Sequence, residues 1–225
     1  MWIILHKELD LVMIEAFVIT LPYEKYIKMA ENVIASCKKH NIFCQKWEAF
    51  DGLGKNIKIP MNLKNQTHIN LLKVQNYNLT FAEIACFLSH YSLWCHCVEL
   101  NRPIIILEHD IEFIKTYSDH KYNNTIVYLG HEDRNILPHV SIYNHFYKFI
   151  RGAYAYSIDP MIAKNLVSHV IKEGICRPVD VTMRLDYFHI IQDNDTYVIH
   201  IGKESTMTNR IMYSEYNKLS QMIYD

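Results

Sequence analysis

Two carboxylates flank a histidine at Glu108-His109-Asp110, directly behind the aliphatic run Ile104-Ile105-Ile106-Leu107. Such a run predicts a strand, and on extended backbone residues two apart point to the same side. Glu108 and Asp110 would then converge on one hard cation, a charge arrangement that suits a metal diphosphate. Two acids at a solvated strand end produce the same pattern with no ligand, because such pairs are common on surfaces. A second group lies upstream. Glu83 and His90, seven residues apart on a helical stretch and away from its apolar stripe, fall almost one above the other and could face a substrate cleft together. Glu83 also stands three residues after Thr80, the spacing of a capping box that would use its carboxylate to close the helix start. For His90 and Ser89 a structural hydrogen-bonded pair is an equal alternative.

The elements that must position these groups alternate. Ala16 to Leu21 reads as a strand buried on both faces and stopped by Pro22. Tyr26, Ala30, Val33, Ile34 and Cys37 then recur at helical spacing, and a second strand over Phe43 to Phe50 ends in the turn cluster Asp51-Gly52-Leu53-Gly54. Residues 55–78 are polar and weakly periodic, a long loop with one short helix. From Thr80, the apolar residues Phe81, Ile84, Leu88, Tyr91, Cys95 and Val98 step by three and four, a helix with one buried stripe that leads into the strand before Glu108. Further strands are expected at 125–130, 147–150, 152–157 and 197–201. A helix opens at Asp159-Pro160 and closes at Gly174. Strands alternating with helices imply a mostly parallel sheet, with ligands at the carboxyl ends of its strands.

Composition narrows the function. With 225 residues, 50% hydrophobic and 21% charged, the chain is an ordinary globular domain that can bury roughly 70% of its unfolded surface. A single domain over 1–225 is expected, with 1–14 as an N-terminal extension and 211–225 as a C-terminal tail. Lys+Arg 23 against Asp+Glu 24 offers no positive field for nucleic acid or an anionic membrane. The six cysteines form no C-x-x-C pair and read as reduced core residues. No stretch approaches the roughly 18 apolar residues of a membrane span, and the four-residue apolar run at the N-terminus is too short for a leader, so a cytoplasmic location is expected.

The segment Leu79-Thr80-Phe81-Ala82-Glu83-Ile84-Ala85-Cys86-Phe87-Leu88-Ser89-His90, followed by Leu107-Glu108-His109-Asp110, resembles glycosyltransferase family 25. That family includes lipooligosaccharide and collagen hydroxylysine galactosyltransferases. Its Leu-Thr-x-Gly-Glu-Ile-Gly-Cys-x-Leu-Ser-His and Leu-Glu-Asp-Asp motifs are matched in content and spacing. Phe17 to Leu21 resembles the family's opening strand, Ala49-Phe50-Asp51-Gly52 its Ala-x-Asp-Gly turn, Gly152 to Tyr156 its Gly-x-x-Ala-Tyr strand, and Pro178-Val179-Asp180 its Pro-x-Asp segment. The resemblance implies a GT-A-like, Rossmann-like α/β fold, a mostly parallel mixed sheet flanked by helices. It also implies inverting transfer from a nucleoside-diphosphate sugar, usually with a divalent cation. Two departures stand out. His109 replaces an aspartate beside the cation, which would weaken magnesium relative to manganese if adjacent acids do the holding. Ala82 and Ala85 replace two glycines and suggest closer packing.

Carried onto this sequence, the resemblance implies Mn2+ or Mg2+ held by Glu108 and Asp110, with His109 and His200 as further ligands, and a UDP-sugar bordered by Thr20, Leu21, Asp51, Gly52 and His90. Arg151 would balance diphosphate charge, with a surface ion pair as its alternative. In an inverting transfer a base must take the acceptor hydroxyl's proton. Asp180 is the first candidate, with Glu83 and Asp186 as alternatives and a helix-start acid as the structural one. The expected reaction moves a hexosyl group, galactosyl among the candidates, to a hydroxyl on a glycan or protein. A metal-dependent nucleotide-sugar or phosphate hydrolase and a catalytically inactive nucleotide-sugar-binding module are the rival readings.

Overall fold

The computed structural model describes residues 14–54, 56–60, 69, 72–75, 78–130, 152–193, 195–201 and 223–224. The elements run β1 (Glu15–Thr20), α1 (Glu24–Lys39), β2 (Phe43–Glu48), β3 (Ile57–Lys58), α2 (Phe81–Leu100), β4 (Ile104–Glu108), β5 (Ile111–Phe113), β6 (Ile126–Tyr128) and β7 (Ala155–Ile158). They continue with α3 (Pro160–Glu173), α4 (Val179–Thr182), β8 (Ile190–Gln192), β9 (Val198–His200) and β10 (Ile223–Tyr224).

Six strands form the main sheet in the order β2-β1-β4-β7-β6-β8. β1 pairs in parallel with β2 and β4, and β6 with β8, while β7 runs antiparallel to both of its neighbours. This is the mixed, mainly parallel α/β sheet that the resemblance implied. Its central strands are buried on both faces, and the pleat divides their side chains. Phe17, Ile19, Ile104 and Ile106 join the cluster under α2 and α3, whereas Ala16, Val18, Ile105 and Leu107 join Ala30, Val33 and Cys37 of α1 on the other face.

The helix boundaries have local causes. Thr80 Oγ1 accepts from Glu83 N at 3.1 Å while Glu83 Oε2 accepts from Thr80 N at 2.8 Å, a complete capping box. α2 ends at Asn101, in the left-handed region with φ 50. Asp159 Oδ1 accepts from Met161 N and Ile162 N ahead of Pro160, and Gly174 with φ 75 closes α3. Instead of one stripe, α2 buries residues all round, Phe87, Leu93, Trp94 and Cys97 included, because it lies between the sheet and α3.

Other expectations are corrected. β9 lies outside the main sheet and pairs antiparallel with β5, a three-residue strand. Inside the expected long loop, β3 pairs in parallel with β10, so the chain end from 211 is not wholly a tail. The six cysteines are free thiols as expected, but only Cys37, Cys95 and Cys97 are buried; Cys44, Cys86 and Cys176 are half-buried. The expected strand at 147–150, Arg151 and almost all of 1–14 lie outside the described residues. Among the described residues no helix is long and apolar enough to cross a membrane.

Candidate active site

The parallel strands β1, β2 and β4 end on one edge of the sheet, where ligands of α/β folds gather. β7 begins on that same edge, since Glu108 N donates to Tyr154 O at 2.8 Å. A cleft of about 580 Å³, open mouth included, lies there. Leu21 after β1, Phe50, Gly52 and Leu53 after β2, and Glu108 and His109 at the end of β4 form part of its wall. Across from them α2 contributes Ala82, Ala85, Cys86, Ser89 and His90, residues that share one helical face.

The wall after β2 is pinned to α2. Ser89 Oγ accepts from Phe50 N at 2.9 Å and donates to Ala85 O at 2.8 Å. A Cβ on Gly52 would sit 2.3 Å from Phe81 O and 2.7 Å from the Ala85 methyl, so only glycine allows this approach. Asp51 is buried and has its own partners. It accepts from Tyr23 Oη and from Leu53 N at 3.0 Å, and Lys58 Nζ lies 3.4 Å away. Thr20 is buried too, its carbonyl accepting from Ala49 N at 2.9 Å. Thus Leu21 and Gly52 line the cleft, and Thr20 and Asp51 shape its wall from behind.

Glu108 ends β4, and His109 and Asp110 form a turn before β5. The extended backbone on which Glu108 and Asp110 were expected to share a side therefore stops at Glu108. Asp110 is held from a different element: its Oδ2 lies 3.0 Å from His200 Nε2 on β9, while its Oδ1 is buried with no hydrogen-bond partner. His109 packs its ring edge-on to Tyr26, centroids 5.0 Å apart. Burial pushes the Glu108 carboxyl up, but the imidazoles of His90, His109 and His200 outweigh it and hold it below its ordinary 4.5. An ionised carboxylate beside an orphaned carboxylate oxygen fits a hard divalent cation.

His90 is fully buried. Its Nδ1 lies 2.9 Å from Tyr156 Oη, which accepts from Trp94 Nε1 at 2.9 Å. Its Nε2 is 3.5 Å from Glu108 Oε1. Tyr156 and Trp94 are fully buried core residues that also aim this imidazole. Glu83 lies beside the cleft with its carboxylate committed to Thr80, so the geometry realises the cap. Asp180, in the first turn of α4, accepts from Gly152 N at 3.1 Å and Val181 N at 2.9 Å. Tyr128 Oη donates to Gly152 O, so Asp180 belongs to the same edge. Asp186 is locked in a two-point pair with Arg184, both contacts at 2.7 Å.

Cys86 was not expected in the site. Burial, then the carboxylates of Glu108, Asp180, Glu83 and Asp110, push its thiol well above the ordinary 9.0. The available signal was the four-residue step from Cys86 to His90, which puts both on one helical face.

The family model described as glycosyltransferase family 25 (LPS biosynthesis protein) matches residues 13–134, more than half of the chain. The chain belongs to glycosyltransferase family 25. This family 25 enzyme carries its matched helix segment and its acidic strand end on opposite walls of one cleft. Among solved structures it is similar to a mutant of Drosophila beta-1,4-galactosyltransferase 7 in complex with manganese, UDP-Gal and xylobiose. That likeness has 8% identity and a TM-score of 0.42, covering 88% of this chain and 74% of that one. It is also similar to the glycosyltransferase GlyE of Streptococcus pneumoniae TIGR4, at 13% identity and a TM-score of 0.45, covering 93% of this chain and 62% of that one. The chain therefore spans less than two thirds of the second protein's length. Neither likeness is close enough to carry a donor, a metal or an acceptor across. No curated protein matches the chain.

Proposed function

We propose that this family 25 glycosyltransferase is an inverting, metal-dependent hexosyltransferase. It takes the sugar, galactose first among the candidates, from a UDP-sugar and joins it to a hydroxyl of a glycan or a hydroxylated protein. The observation that supports this reading most is the meeting of Leu21, Gly52, His90, Glu108 and His109 in one cleft at the ends of the parallel strands.

Glu108 and Asp110 would hold Mn2+ or Mg2+, with His109 and His200 as further ligands. Bound there, such a cation supplies charge neutralisation for a diphosphate leaving group. Leu21, Phe50 and Leu53 offer an apolar wall to the nucleoside, and Gly52 lets that wall lie close against α2. Asp180 takes the proton of the acceptor hydroxyl as that oxygen attacks the anomeric carbon from the face opposite the nucleotide. Glu83 and Asp186 are poorer bases, because Thr80 and Arg184 already engage them.

The test is a donor screen read by mass spectrometry, with each UDP-sugar supplied with and without acceptor hydroxyls, in Mn2+ and in Mg2+ separately. A glycoside product that needs acceptor and divalent cation, over slow background hydrolysis, is the expected result. Full-rate release of the sugar without acceptor would overturn the reading in favour of a hydrolase.

A further inference from the structure

Cys86 and His90 stand one helical turn apart on α2, and Glu108 leaves β4 opposite them. The Cys86 sulfur, a His90 ring nitrogen and a Glu108 oxygen lie within 4.8 Å of one another. His90 is fully buried, yet its Nε2 makes no hydrogen bond and faces Glu108 Oε1 at 3.5 Å. A buried nitrogen that makes no hydrogen bond and faces a carboxylate inside a ring of ligand atoms is the feature an ion would satisfy.

We propose that Cys86, His90 and Glu108 form a binding site for a thiophilic divalent cation, Zn2+ above all, with a fourth position open to the cleft. Thiolate, imidazole and carboxylate make a borderline-soft set that suits Zn2+ or Co2+, whereas Mg2+ demands six hard oxygen ligands. Three protein ligands leave tetrahedral zinc one exchangeable position, and Cys86, Ser89, His90 and Glu108 all line the cleft. The Tyr156 hydroxyl, fixed by Trp94, can accept from Nδ1–H of His90, which leaves the Nε2 lone pair for the metal. On binding, the sulfur–metal bond forms and the Cys86 proton passes to solvent. The site needs neither donor nor acceptor, so it is tested apart from the transferase reading.

Co2+ titrated into the reduced full-length chain is the probe. The expected result is a near-ultraviolet thiolate charge-transfer band with tetrahedral visible bands, saturating at one ion per chain, bleached by Zn2+ and untouched by excess Mg2+. Cys86→Ser, an isosteric change, should abolish the charge-transfer band and weaken Zn2+ at least ~10-fold. Asp110→Asn and Cys176→Ser should keep the band, which separates this site from the acid pair and from other thiols. His90→Gln should weaken binding as well. If it fails to fold, Cys86→Ser, with its fold checked by circular dichroism, carries the test alone. Absence of the band in the natural chain, or its survival in Cys86→Ser, overturns the proposal.

Discussion

Asp110 gives one carboxylate oxygen to His200 and keeps the other buried without a hydrogen-bond partner, an acceptor left over for a cation. Asp110→Ala is expected to abolish turnover while the circular dichroism and thermal midpoint stay close to those of the natural chain; near-normal activity would remove it from the metal site. At Asp180 the expected loss is different in kind. Asp180→Asn should lower kcat by about 10²–10⁴-fold, the usual worth of a positioned base, with the donor KM little changed. A rise in KM with kcat intact would make Asp180 a binding residue. Much of this constellation was legible as residue types: Glu108, His109, Asp110 and His90 stand out in the sequence, and three of them line the cleft. The reason given for the acid pair was wrong in detail, because the strand stops at Glu108 and it is His200, 90 residues further on, that holds Asp110. Cys86 escaped notice since its apolar neighbours make it resemble a core thiol, and only its spacing to His90 distinguishes it.

At the scale of elements, the cleft wall depends on the loop after β2 lying flat on the first turn of α2. Gly52→Ala would force a methyl to within 2.3 Å of Phe81 O, so a loss of about 1–3 kcal/mol is expected by chemical denaturation, with weaker nucleotide binding as the wall shifts outward. An unchanged midpoint would mean that the loop yields freely. Asp159 ties two elements together: it caps α3, and its Oδ2 also accepts from Thr125 N ahead of β6 at 2.8 Å. Asp159→Ala is therefore expected to cost about 2 kcal/mol, the upper end for an N-cap, as an orphaned Thr125 N–H adds to the lost cap. A loss below about 0.5 kcal/mol in urea melts would contradict this. Capping residues announce helices from sequence, which is why α2 and α3 were legible to within a residue or two. β5 and β8 are three residues each, too short for any period to register; β9 was legible as a strand, but its pairing with β5 was not. The reversal of β7 is equally silent, because strand direction depends on pairing partners far along the chain.

Across the whole molecule, aromatic hydroxyls are buried on a scale that sets an alkaline limit. Burial pushes Tyr128 and Tyr156 well above their ordinary 10.0, at Tyr156 against the lowering effect of the Trp94 hydrogen bond. The folded chain keeps protons there that the unfolded chain gives up. This contribution to stability is full below pH 10 and is lost progressively as pH rises beyond it. Denaturation midpoints should fall on the alkaline side of pH 10, with tyrosinate absorbance appearing together with unfolding; tyrosinate forming well before unfolding would contradict the burial. The six-stranded sheet that buries these rings brings the ends of β1, β2 and β4 to one edge, where a nucleotide's diphosphate is expected to meet Glu108 and Asp110. The most direct measurement is a crystal structure with a UDP-sugar and Mn2+ bound. The cation is expected between the diphosphate and those two carboxylates, with the nucleoside against Leu21 and Gly52. A nucleotide bound elsewhere, with Glu108 and Asp110 contacting neither ion nor phosphate, would contradict it.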